Sequence, residues 1–256
     1  MADVLNIPLY YIGFKKNSAL EDQLSKVGFT DVHHFQAIDG RKMDPTTLLK
    51  DKIIGSRAYN DLVYDRSEKI GISSLGTIGC TLSHMALWKK CVDNNLPFIA
   101  IAEDDLYVEK ITSKDIKTIQ SNLANKNGAF ISTDIDPGTQ TMIGLHFYFL
   151  TNGAAKQLLA HALPIEMQTD SYVGHMNNTR AIRANGYKLG VQSSKDSTTG
   201  SGLFGCIKCE LPTGNLFYWL ILLFIFILIV MAYFLYKTLT KTKVALESCR
   251  SSKSAQ

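Results

Sequence analysis

Apolar positions along the first 192 residues switch between a period of two and a period near 3.6, and the switching alternates strand with helix. "IPLYYIG" (7–13) is apolar and β-prone; "SALEDQLSKVG" (18–28) follows with a Ser cap, helical spacing and a closing Gly. "VHHFQAI" (32–38) predicts a short alternating strand closed by the Asp39-Gly40 turn. Residues 41–70 are polar and irregular and predict an excursion over the sheet. "TIGCTLSHMALWKKCVDN" (77–94) predicts a helix apolar around most of its girth, hence largely buried. A strand over 98–102, a polar helix near 115–124 and a strand in "GAFIST" (128–133) come next. "IGLHFYFL" (143–150) reads as a buried strand, "NGAAKQLLAHAL" (152–163) and "DSYVGHMNNTRAIRAN" (170–185) as helices, and "GYKLGVQ" (186–192) as a last short strand. Such alternation predicts an α/β fold, a mainly parallel sheet with helices on both faces. No internal repeat is present.

One stretch breaks the pattern. From Leu216 to Tyr236 there are 21 residues without a charge, a Pro or a Gly. At 1.5 Å of rise per residue that is roughly 30 Å, the thickness of a bilayer's hydrocarbon core. It predicts a single C-terminal transmembrane helix over 216–236, with Phe217, Tyr218 and Trp219 at its entry and Tyr233, Phe234 and Tyr236 at its exit as interfacial belts. Residues 203–215 then form a linker, and 237–256 a basic tail. That tail carries Lys237, Lys241, Lys243, Arg250 and Lys253 against Glu247, which accounts for the whole net charge of +4. The preceding domain is neutral, so nucleic acid has no electrostatic footing on it, and the tail suits anionic lipid headgroups.

The N-terminus "MADVLNIPLYYIG" has neither a basic n-region nor an adequate apolar h-region, so it does not read as a signal peptide. That favours a cytosolic soluble domain, whereas the basic flank after the span argues for a lumenal orientation. Cys80 and Cys91 fit buried thiols; Cys206-x-x-Cys209 lacks two further ligands at zinc spacing. The formal sequon Asn177-Asn178-Thr179 falls inside an expected helix.

The chemistry gathers where "FIAIA" runs into Glu103, Asp104 and Asp105. Three consecutive carboxylates at the carboxyl end of a buried strand repel one another, and that end of an open α/β sheet is where ligands collect. Oxygen-only ligands favour a hard divalent cation, Mg²⁺ or Mn²⁺. The alternative is a solvated acidic junction. A second pair, Asp134 and Asp136, follows the next strand, either lining the same cleft or forming an Asp-Pro-Gly turn. Asp170 opens a helix and fits an N-cap, and His84 fits a satisfied core histidine as well as a ligand.

"LGTIGCTLSHMALWKKCVDNNLPFIAIAEDDLYVE" resembles the central block of family-25 glycosyltransferases, the lipopolysaccharide-type and procollagen-type galactosyl and glucosyl transferases. The shared features are a Gly-Cys-x-x-Ser-His helix, a strand and Glu-Asp-Asp. "FQAIDGR" (35–41) is similar to that family's Ala-x-Asp-Gly turn, and "HFYFLTNGAAKQLL" (146–159) to its strand, turn and helix. "LPIEMQTDSYV" (163–173) and "VQSSKDSTTGSG" (191–202) resemble its later segments, so residues 1–202 take the place of the transferase domain. The resemblance implies a GT-A fold, a nucleotide-sugar donor such as a UDP-hexose, a Mn²⁺ (or Mg²⁺) cofactor, and transfer with inversion to a glycan, lipid or protein acceptor. Glu103, Asp104 and Asp105 would hold the metal, Asp105 foremost, and Asp104 also the donor diphosphate. Gly79, Ser83 and His84 would lie near the donor. Asp170 and Asp134 are the candidate catalytic bases.

Two departures from the family pattern stand out. Lys15 and Lys16 replace its Arg-rich early segment, and Thr77 stands where Gly-Glu-x-Gly-Cys has its acid. They keep open an alternative, a catalytically degenerate transferase fold serving as a membrane-anchored binding or structural protein. A nucleotidyltransferase would need a Gly-rich phosphate loop, which the chain lacks.

Overall fold

The computed structural model describes residues 7–64, 71–108, 111–124, 129–133, 144–187 and 191–192, together with Phe224, Met231 and Lys237. The chain divides into two compact units, Met1–Cys209 and Glu210–Gln256. In the second unit, Phe224, Met231 and Lys237 are helical and exposed. Among the described residues no helix is long and apolar enough to cross a membrane. The expected span over 216–236 lies outside them apart from Phe224 and Met231, as do the 203–215 linker, Cys206 and Cys209.

In the first unit, β1 (Leu9–Gly13) leads to α1 (Ser18–Val27), β2 (Val32–Gln36) and one 3-10 turn (Gly40–Lys42). Asn17 starts α1 by accepting the Leu20 N–H. Gly28 stops it in the left-handed region at φ 111°, a conformation that glycine adopts without steric cost. Residues 45–64 are not irregular: they form α2 (Pro45–Lys50) and α3 (Ser56–Tyr64). The sequence signal for α2 is Asp44-Pro45, a side chain that accepts from Thr47 N followed by proline at the first helical position. α2, at six residues, is too short for a helical period to show, whereas α3 is amphipathic and packs Ala58, Tyr59 and Leu62 inward.

α4 (Leu75–Asp93) begins where Ser74 accepts from Thr77 N, and β3 (Phe98–Glu103) and β4 (Leu106–Tyr107) follow. Next come α5 (Ser113–Ala124), β5 (Ala129–Ser132), β6 (Phe147–Thr151), α6 (Asn152–His161) and α7 (Thr169–Asn178). The helix expected over 170–185 ends at Asn178, and Arg180 turns into the left-handed region at φ 60°. The remainder becomes β7 (Arg183–Gly186), which adds to the sheet edge; β8 (Val191–Gln192) pairs with β4 in a small separate ladder. The edge position explains the miss, because β7 alternates exposed with half-buried residues and carries no apolar run.

Among the described residues the main sheet has six strands in the order β2-β1-β3-β6-β5-β7. β1 is parallel to β2 and β3, and β5 to β7, but β6 runs antiparallel to both neighbours. The expected mainly parallel sheet is therefore mixed. Antiparallel neighbours need no crossover helix between them, and among the described residues none lies between β5 and β6.

Strand alternation sorts the core into two layers. Leu9, Tyr11, Ala100, Phe147 and Phe149 face α1 and α5 through Leu20, Leu24, Ile116 and Ile119. Tyr10, Ile12, Ile101, Tyr148 and Leu150 face α4, α6 and α7 through Leu87, Trp88, Leu158 and Val173. Helices thus cover both faces. A smaller cluster around Leu48, Ile54, Ile72, Ile78 and Ile165 holds the α2–α3 excursion down. Glu166 reaches across to it and accepts the Ala58 N–H at 2.9 Å, supplying α3 with a capping acceptor from a distant loop.

Candidate functional site

Chain order reverses at β1, which has β2 on one side and β3 on the other. The crevice outside the carboxyl ends of β1 and β3 is the place where open α/β sheets bind ligands. β3 delivers its acids there. Glu103 stands in register with Ile12, and its N–H donates to His146 O at 2.8 Å. Asp104 N–H donates to Ile12 O at 3.0 Å, and Asn17 Nδ2 donates to Asp104 O at 3.2 Å. Glu103 and Asp105 are partly exposed and Asp104 is exposed.

The electrostatics follow from this crowding. Loss of solvent, then the charges of Asp105 and Glu103, raise the Asp104 carboxyl above its ordinary value. Burial opposes ionisation of Glu103 too, but the adjacent His84 and the charge of His146 outweigh it and hold that carboxyl below its ordinary value. A divalent cation would relieve the repulsion within the triplet. Its all-oxygen donor set fits a hard ion such as Mn²⁺ or Mg²⁺.

α4 crosses behind this cluster. His84 is fully buried, with Nδ1 2.8 Å from the Tyr148 hydroxyl and Nε2 3.4 Å from Glu103 Oε1. The latter is an ion-pair distance without hydrogen-bond alignment, so Nε2 makes no hydrogen bond. Cys80, one turn earlier, completes a trio with His84 and Glu103 whose ligand atoms lie within 4.8 Å of one another, close enough to hold a metal ion. Burial, then the charges of Glu103, Asp170 and Asp105, push the Cys80 thiol well above its ordinary value. Without a cation it is a protonated thiol and a poor ligand beside the carboxylates.

α7 brings Asp170 to the same place. The residue lies in the first turn, where Gln168 occupies the cap position without a side-chain bond, so Asp170 is not the N-cap. Its Oδ1 accepts the Ser171 N–H at 2.6 Å. Burial raises the Asp170 carboxyl; Ser171 opposes, Glu103 adds to the rise, and His146 lowers it. Thr169 anchors the helix start to α4 through a 2.8 Å contact with Thr81 Oγ1. A cavity of about 370 Å³ opens beside this contact, lined by Thr81, Glu166, Met167, Tyr172 and His175 among others.

Gly79 and Ser83 sit where α4 meets the 3-10 turn. A Cβ on Gly79 would lie 2.3 Å from Ile38 O, so helix and turn touch backbone to backbone. Ser83 Oγ donates to Gly79 O at 2.8 Å and accepts the Ile38 N–H at 2.9 Å, and the residue is fully buried. Asp134 and Asp136 lie outside the described residues. His146, Tyr148 and Trp88 complete the surroundings and were not singled out from sequence. The available signal was a histidine and a tyrosine inside the otherwise apolar run "IGLHFYFL".

Residues 15–134 match the family described as Glycosyltransferase family 25 (LPS biosynthesis protein), a stretch that reaches from the end of β1 through the acidic triplet and β5. A Haemophilus influenzae protein named "Putative glycosyltransferase" is 30% identical over 130 residues, covering 44% of this chain and 46% of that protein. A Drosophila melanogaster "Glycosyltransferase 25 family member" is 28% identical over 95 residues, 37% of this chain and 14% of that protein. The human "Procollagen galactosyltransferase 2" is 25% identical over 118 residues, 45% of this chain and 18% of that protein. The chain spans less than half the length of the curated relatives it matches.

Proposed function

We propose that this chain is a metal-dependent glycosyltransferase that moves a hexose from a nucleotide-sugar donor, a UDP-hexose, to a glycan, lipid or protein acceptor with inversion. The observation that carries the reading is the acidic cluster of Glu103 and Asp104 at the carboxyl end of β3 beside β1, with Asp170 of α7 near enough to Glu103 for their charges to oppose each other. The similarity to glycosyltransferases over residues 15–134 supports it.

Glu103, Asp104 and Asp105 would hold Mn²⁺ or Mg²⁺, which when bound offsets charge on a leaving diphosphate. Asp170 is the candidate base that takes the acceptor hydroxyl's proton as that oxygen attacks the anomeric carbon and the donor's C–O bond to diphosphate breaks. Its raised carboxyl keeps proton affinity for that task. Asp134 remains the second candidate. Ser83 and Gly79 keep α4 fixed against the 37–40 turn and so position His84 behind the triplet. Residues 216–236 would anchor the enzyme in a membrane, with the soluble domain cytosolic.

The full chain in detergent, heated with UDP-sugars with and without Mn²⁺, tests the reading. Binding to the folded state raises Tm by mass action. A Mn²⁺-dependent rise that disappears in Asp104→Ala plus Asp105→Ala supports it; no rise with any donor and no donor hydrolysis overturns it.

One observation favours a second reading, a transferase fold kept as a membrane-anchored binding protein. Thr77, where the family resemblance has an acid, is buried, and its hydroxyl lies 3.0 Å from Ser73 Oγ, within the start of α4. In that case the double alanine variant retains its biological role.

A further inference from the structure

Four side chains form a line from the core to the acidic triplet. Trp88 and His84 are one turn apart on α4, and Tyr148 faces both from β6. Trp88 Nε1 donates to the Tyr148 oxygen at 2.9 Å, and His84 Nδ1 lies 2.8 Å from the same oxygen. All three residues are fully buried, so no bulk water is available to exchange partners.

The direction of each bond is determined by what each group can do. An indole N–H only donates, so Tyr148 accepts from Trp88. Burial pushes the tyrosine hydroxyl well above its ordinary value, so it keeps its proton. That proton needs an acceptor, because a buried hydroxyl hydrogen left unbonded bears its full desolvation penalty. Among the described residues His84 Nδ1 is the other partner of the Tyr148 hydroxyl, hence Tyr148 donates to Nδ1. A neutral imidazole that accepts at Nδ1 carries its hydrogen on Nε2. That nitrogen faces Glu103 Oε1 at 3.4 Å.

We infer that Trp88 and Tyr148 are positioning residues that lock His84 in its Nε2–H form and aim that N–H at the Glu103 carboxylate. The hydrogen bonds then run one way, Trp88 to Tyr148 to His84, and the His84 Nε2–H faces Glu103 Oε1 across 3.4 Å. The arrangement also bears on the Cys80–His84–Glu103 trio. With hydrogen on Nε2, His84 has no lone pair directed at the trio unless that proton is displaced, so in this form it acts on Glu103 from behind. The tautomer stands on the hydrogen bonds alone; its consequence for metal binding rests on the reading in the preceding subsection.

The experiment is a long-range ¹H–¹⁵N correlation spectrum of the full chain in detergent, labelled with ¹⁵N at its six histidines, at pH 8. His84→Gln identifies the His84 signals. The inference expects a neutral Nε2–H ring in the wild type; an Nδ1–H or doubly protonated ring overturns it. Trp88→Phe removes the donor that orients Tyr148, so the ring should gain Nδ1–H population, and an unchanged spectrum overturns the role of Trp88. Tyr148→Phe should likewise release the tautomer. If either variant fails to fold, the wild-type spectrum still decides. Mn²⁺ titration of the same samples, read by paramagnetic broadening of the His84 signals, tests the consequence. Tyr148→Phe should weaken apparent Mn²⁺ affinity by roughly 10- to 100-fold, as loss of an outer-shell partner does. A wild type with the Nε2–H tautomer and no Mn²⁺ broadening would leave the relay standing and overturn the metal reading.

Discussion

Gly13 and Asp104 occupy adjoining strand ends, and a Cβ on the glycine would lie 2.6 Å from Asp104 Oδ2. The missing side chain on β1 is the space in which the β3 carboxylate sits. Gly13→Ala should displace that carboxylate and, because Asp104 Cβ would itself lie 2.9 Å from the new methyl, move the strand end that carries it. The expected outcome is a modest fall in Tm for the unliganded chain and a larger effect on metal, a Mn²⁺-dependent Tm shift that needs about 10- to 100-fold more metal. An equal loss of stability with and without metal would show that Gly13 serves packing alone.

The contact between α4 and the 37–40 turn tolerates no extra atom. A Cβ on Gly40 would lie 1.8 Å from Leu75 O, and both opposing groups are backbone. Gly40→Ala and Gly79→Ala should each destabilise the fold by about 3 kcal/mol or more, at the upper end of overpacking costs. Urea unfolding monitored by tryptophan fluorescence measures this. A Gly79→Ala chain of normal stability that has lost nucleotide binding would place Gly79 at the donor instead.

Ser83→Ala leaves the Ile38 N–H without its acceptor in a partly buried setting, at a cost of about 1 kcal/mol. The same unfolding measurement gives the cost. Nucleotide affinity in the fraction that stays folded separates the two roles: retained affinity fits an internal support, and lost affinity fits donor contact.

Asp170→Asn should lower kcat by about 10²- to 10⁴-fold while leaving Mn²⁺ and donor binding intact. The base must be ionised, and its folded-state pKa is raised, so wild-type kcat should fall as pH drops through a value above 3.8. Steady-state rates across pH check both statements. An acid limb that persists in the asparagine variant would assign it to another group.

Stability at low pH has a separate contributor. Asp115 accepts from Thr112 N at 3.0 Å and from the Thr112 hydroxyl, while Asp115 N donates back to Thr112 Oγ1 at 3.3 Å, a capping box that starts α5. The Thr112 hydroxyl, and with it Thr112 N–H and Tyr187, hold this carboxyl below its ordinary value. Its contribution is therefore complete above about pH 4 and is lost as pH falls through the lowered value. Asp115→Asn should be less stable than wild type at neutral pH and lose less on acidification, measured as Tm between pH 7 and pH 2.

Long apolar periods were legible along the chain. The buried strands β1, β3, β5 and β6 and helices α1, α4 and α6 follow from apolar spacing, because burial imposes that pattern locally, although Asn17 and not the expected Ser18 caps α1. The acidic triplet at the end of β3 was also legible, since charges after a buried run must meet water or a cation. α2, α3 and β7 were not: they are short, half-exposed elements whose conformation depends on what they dock against.

The amino-acid order by itself determined an α/β domain, the carboxylate cluster at a strand end, and a 21-residue apolar run after it. The tertiary structure alone decided that β6 runs antiparallel, that Asp170 lies within the electrostatic range of Glu103, and that Trp88, Tyr148 and His84 line up behind the site. The reason is separation along the chain. His84 and Tyr148 lie 64 residues apart, and only the packing of a helix across a strand determines which polar atoms meet.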